Sequence, residues 1–112
     1  MSKYIWLLDP GHGGLDPDTN KYVTAGKRSP VWKDGSQYFE GVGNRDIVKR
    51  ILNKCIANGI LATDIVHDWE DISLVTRVNR ANAIHSYYKN TIYVSVHSNG
   101  FSKESAHGYS VY

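Results

Sequence analysis

Apolar residues first cluster at positions 4–8, Tyr4-Ile5-Trp6-Leu7-Leu8, and turn residues follow at once. A short apolar run closed this way predicts a buried strand. Residues 13–39 show no period. Pro17, Gly26, Pro30 and Gly35 interrupt them, and the resulting 27-residue stretch is far longer than an ordinary connection, the kind of loop that is either functional or disordered. Trp32, Tyr38 and Phe39 near its end favour packing.

Periodicity returns at Asn44, where Ile47, Val48, Ile51, Leu52, Cys55 and Ile56 mark one face of a helix that Asn58-Gly59 closes. Residues 59–67 read as a second strand. Asp71 to Ser73 supply caps for a second helix with Leu74, Val75, Val78, Ala81 and Ile84 on its inner face. Asn90 ends that helix, residues 91–96 form the most strand-like run, and a final β-type run covers residues 108–112. Strand, helix, strand, helix, strand predicts an α/β fold, a mostly parallel twisted sheet flanked by helices in one domain over residues 1–112.

Composition narrows the partners. At 112 residues, 41% hydrophobic and 21% charged, the chain has the make-up of one globular domain. A net charge of +2 gives no basic stripe for nucleic acid, so none is expected as a partner. Cys55 is alone, which excludes an intrachain disulfide and a cysteine-based zinc cluster. Apolar runs of about five residues cannot span a bilayer. Residues 1–8 lead into Asp9-Pro10 and do not make a secretory h-region, so another export route is expected if the protein acts outside the cytoplasm. Eight tyrosines and three tryptophans suit a sugar or polymer groove as well as a core.

Topology selects candidate chemistry. In a parallel α/β sheet, ligand sites gather at the C-terminal ends of the strands. His12 follows the first strand within Asp9-Pro10-Gly11-His12-Gly13-Gly14, His97 ends the third strand within Ser95-Val96-His97-Ser98-Asn99, and Glu40 lies just before the first helix. All three fall on one rim, and two imidazoles with one carboxylate form a set suited to catalytic zinc. Taken singly, each has a plainer role: His12 as a hydrogen-bonded surface residue, Glu40 as a first-turn acid on the helix dipole, His97 as a polar strand end. His67, expected near the same rim, is a further candidate for substrate contact or support of a ligand. The glycine-rich turn lacks the Lys-Ser/Thr of a phosphate loop.

Asp9 to Gly14, Glu40 with Asn44, Leu74 with Arg77, Ala81-Asn82, Ser95 to Asn99 and Gly108 resemble, in order, the zinc-dependent N-acetylmuramoyl-L-alanine amidases of the type 3 class. Ala25-Gly26-Lys27-Arg28-Ser29-Pro30 with Gly35 is similar to a subset found in phage endolysins and prophage lysins. The resemblance implies a peptidoglycan substrate cut between N-acetylmuramic acid and L-alanine. It implies Zn²⁺ on His12, Glu40 and His97, and supporting roles for Asn99 and Arg77. It places the work at the cell wall, periplasmic or extracellular, for a protein possessing no transmembrane segment and released as a phage-type lysin. The family's acid/base glutamate would fall beyond Tyr112, since Glu70 and Glu104 do not stand in its context. The chain then represents the N-terminal part of the domain, and a remaining segment or another chain is expected to pair with the 108–112 edge. A non-catalytic zinc or peptidoglycan-binding module is the alternative. Residues 13–39, lying between two of the ligands, are the candidate for substrate selectivity.

Overall fold

The computed structural model describes residues 3–99 and 107–112. Its elements run β1 (Ile5–Pro10), α1 (Glu40–Ala57), β2 (Ala62–Asp64), α2 (Leu74–Tyr88) and β3 (Thr91–Val96). The three strands form one parallel sheet in the order β2-β1-β3. β1 is central, with Leu7 opposite Thr63 on one side and Tyr93 on the other.

Burial of β1 on both faces explains its unbroken apolar sequence. Neighbouring residues on a strand project to opposite faces, and Leu7 and Leu8 are both 1% exposed. Leu7 packs with Ile65, Val66 and Ala81, and Ile5, Ile72 and Ile84 border that cluster. Leu8 projects to the other face, and α1, whose Val48 and Cys55 are buried, packs against β1 and β2.

Several expectations are corrected. α1 starts at Glu40, four residues before its apolar period, because its first turn is buried through Glu40, Gly41 and Asn44. Ile47 and Ile56 are exposed, so the inner face is narrower than periodicity suggests. β2 is only three residues long, and Ile65 and Val66 enter the core from beyond its end. On α2, Leu74, Val75 and Val78 face outward while Arg77 and Ala81 are buried. An arginine takes the inner position because it reaches a buried aspartate on β1. Ser73 caps α2 as expected, accepting from Thr76 N–H.

The β-type run at residues 108–112 forms no strand; Tyr109, Val111 and Tyr112 are almost fully exposed. Its alternation alone cannot hold an extended conformation, since strand stability comes from a partner ladder that this segment lacks among the described residues. The loop expected at residues 101–106, with Glu104, lies outside the described residues.

Residues 13–39 are folded without regular elements. Isolated bridges join Leu15 to Tyr22 and Arg28 to Phe39, and Tyr22 packs on Phe39 with ring centroids 4.7 Å apart. Trp32 stays half exposed at 51%.

Candidate metal centre

Chain reversal after β1 builds the first wall of the site. His12 takes a left-handed backbone, φ 63°, a conformation that costs a non-glycine residue about 1–3 kcal/mol unless its surroundings hold it. Here Arg77 holds it. The guanidinium donates to the carbonyls of Pro10 at 2.7 Å, His12 at 3.0 Å and Ile72 at 3.0 Å, and pairs with the carboxylates of Asp9 and Asp71. Tyr93 and Ser95 hydroxyls donate to the other oxygen of Asp9. The Tyr93 phenol is pushed well above its usual range by burial and by the bond to Asp9, and remains a donor.

The first turn of α1 closes on this loop. A Cβ at Gly41 would fall 1.7 Å from the carbonyl oxygen of Gly13, so only glycine permits the approach. Glu40 N–H donates to the carbonyl of Lys27 at 3.0 Å and thereby ties the long loop to the helix start. At the end of β3, the His97 ring lies on Gly11, where a Cβ would meet its Cε1 at 2.2 Å.

These three elements bring His12, Glu40 and His97 together, with potential ligand atoms all within 4.8 Å of one another. Glu40 Oε1 lies 3.3 Å from His12 Nε2 and 3.2 Å from His97 Nδ1. The imidazoles meet edge to face at 82°, centroids 5.0 Å apart. Tetrahedral zinc with bonds of about 2.0–2.1 Å separates neighbouring ligand atoms by about 3.3 Å, so the two glutamate–histidine spacings match a ligand edge. The donor set suits a divalent cation, and its two glutamate–histidine spacings match, while the set as a whole spans up to 4.8 Å.

Glu40 is fixed from behind. Its Oε1 accepts from Ser98 N–H at 3.1 Å and from Asn44 Nδ2 at 3.5 Å, while Asn44 also donates to the carbonyl of Gly11 at 3.1 Å. Burial alone would raise the Glu40 pKa, but the Ser98 N–H, His12, His97 and Asn44 together hold it below the usual carboxylate value. Burial pushes the His12 pKa down, and His97 and Lys27 push the same way against the opposing pull of Glu40. The site thus favours a charged carboxylate beside a neutral imidazole, the protonation states in which both bind metal.

The three side chains line a cleft of about 900 Å³ together with Lys27, Tyr38 and Asn99. Tyr38 OH lies 2.9 Å from Ser98 Oγ, which links the long loop to the β3 end. Asn99 is therefore at the cleft. Arg77 is beneath it, holding the His12 loop, and is only 5% exposed. His67 is elsewhere: it lines a separate depression with Gly14, Leu15 and Trp69. Glu70 sits before α2, its carbonyl accepting from Arg45. Periodicity did not reveal the Asp9–Arg77–Tyr93 network, whose sequence signals are a carboxylate within an apolar strand and an arginine on a helix. The backbone bond from Ser98 to Glu40 leaves no sequence signal.

No curated protein matches the chain. A model of the N-acetylmuramoyl-L-alanine amidase family matches residues 7–112, a span that contains all three potential ligands and the whole sheet except the first two residues of β1. The chain belongs to the N-acetylmuramoyl-L-alanine amidase family.

Proposed function

We propose that this chain is a zinc-dependent peptidoglycan hydrolase domain acting on the amide between N-acetylmuramic acid and the L-alanine of the stem peptide. The observation that carries this reading is the convergence of His12, Glu40 and His97 at one cleft in a chain of the amidase family. His12, Glu40 and His97 would hold the ion, and Asn99 is assigned to substrate at the cleft wall. When bound, zinc supplies a Lewis acid and lowers the pKa of water to about 7.

The protein's own residues orient that chemistry. Ser98 N–H and Asn44 fix the Glu40 carboxylate, and Arg77 fixes the backbone that carries His12. Hydrolysis adds water to the carbonyl carbon, breaks the C–N bond and delivers a proton to the departing amine. We assign Glu40 to the metal and not to that proton, because its Oε1 faces both imidazoles. Its role is that of a ligand. The substrate locates the work at the cell wall, and the similarity of residues 25–30 to phage lysins suggests release as a lysin. No helix among the described residues is long and apolar enough to cross a membrane.

One observation favours a second reading, a zinc or peptidoglycan-binding module without turnover. Among the described residues, Glu40 is the one carboxylate lining the cleft. Digestion of purified peptidoglycan, followed by labelling of newly freed alanine amines, separates the two. The amidase reading expects free alanine that a chelator abolishes and zinc restores. Retention on peptidoglycan with no alanine released would establish the binding module instead.

A further inference from the structure

The cleft carries a cation that the metal centre does not use. Lys27 and Arg28 both line it, but their side chains differ in what engages them. Arg28 donates to the carbonyls of Thr24 at 3.1 Å and Gly26 at 3.2 Å, and its guanidinium lies over the Tyr22 and Phe39 rings at 5.1 and 5.4 Å. It is committed to holding the loop together. Among the described residues the Lys27 ammonium has no hydrogen bond or ion pair, and the one side-chain carboxylate along the cleft, Glu40, faces the two histidines.

The position of Lys27 is nonetheless firmly set. Gly26 and Lys27 are both left-handed, φ 65° and 48°, a turn that favours glycine and is unusual for lysine. Its carbonyl accepts from Glu40 N–H, so the lysine backbone is coupled directly to a proposed ligand. The rest of the loop is pinned by Ser29 N–H to the Tyr38 carbonyl at 2.8 Å and by Gln37 Nε2 to the Ser29 carbonyl at 2.7 Å. A cation with no partner among the described residues, on a fixed backbone beside the proposed metal centre, is suited to reading an anionic substituent of the substrate.

We propose that Lys27 is a specificity-determining residue that binds a carboxylate of the stem peptide, so that the cleft prefers an acidic stem to an amidated one. This rests on the amidase reading. The anion is assigned to the peptide because the peptide continues from the scissile amide, and its second residue bears either a free carboxylate or the neutral amide in its place.

The test is titration of the metal-free protein, which leaves the amide uncut, with two soluble ligands, N-acetylmuramoyl-L-alanyl-D-glutamate and its D-isoglutamine counterpart, read by calorimetry. Wild type should bind the acid about tenfold more tightly than the amide. Lys27→Gln should weaken the acid alone and bring the ratio near one, and Lys27→Arg should retain most of the preference. Circular dichroism, and zinc uptake in a separate sample, establish that the variants are folded with the metal centre intact. A ratio near one in wild type, or a ratio unchanged by Lys27→Gln, overturns the role of Lys27. If wild type then still takes up zinc and binds both ligands, the amidase reading stands without it; if wild type binds neither ligand, both fall.

Discussion

Glu40 and Arg77 act at different depths, and substitution should separate them. Glu40→Gln keeps the size of the side chain and its bonds to Ser98 and Asn44 within reach, but removes the negative ligand. We expect a folded protein whose zinc content, measured by elemental analysis after dialysis, drops severalfold or more. Arg77→Ala should instead lower stability by about 3–5 kcal/mol, because Asp9, 2% exposed, would keep a buried charge without its partner. Urea unfolding measures that loss; an unchanged midpoint would contradict the role of Arg77 as the anchor of the His12 loop. Protonation offers a third check. His12 and Glu40 both have lowered pKa values, so the unfolded chain binds their protons more readily than the folded one. Stability of the metal-free protein should therefore fall as pH drops, beginning below 6.5 through His12 and continuing below 4.5 through Glu40. In His12→Asn, a residue that tolerates the left-handed backbone, urea midpoints measured between pH 7 and 5 should vary less than in wild type.

Element by element, topology was more legible than packing. The apolar run of β1 and the alternation of β3 are strong local signals, and parallel pairing then brings residues that follow the strands to one rim. That argument needs only element order, which is why His12, Glu40 and His97 could be selected from sequence. His67 also follows its strand, but β2 ends at Asp64 and the histidine lines a separate depression with Gly14 and Trp69 instead of the cleft. Helix faces were less legible: Leu74 and Val75 fit an apolar period, yet α2 buries Arg77 on account of a single aspartate 68 residues earlier. Residues 108–112 illustrate the same limit, since alternation describes a strand only when a partner edge is present. Close approach at Gly11 gives an element-scale test. Gly11→Ala would drive a methyl group into the His97 ring and part the ends of β1 and β3. We expect weakened zinc affinity with helix content retained in circular dichroism; unaltered affinity would contradict the packing of His97 on Gly11.

Across the whole molecule, a three-stranded sheet supplies the rim, α1 supplies the carboxylate, and the long loop supplies a cleft wall tied to the Glu40 backbone N–H through the Lys27 carbonyl. The family assignment and the clustered side chains arise from separate observations, one from the sequence over residues 7–112 and one from the geometry. They meet in the claim that His12, Glu40 and His97 jointly hold one zinc ion. X-ray absorption spectroscopy on protein reconstituted with one equivalent of zinc tests that claim most directly. The account predicts a shell of nitrogen and oxygen near about 2.0–2.1 Å with the outer-shell scattering of two imidazoles, reduced to one imidazole in His97→Ala. A sulfur shell near about 2.3 Å, or a spectrum that His97→Ala leaves unchanged, would contradict it.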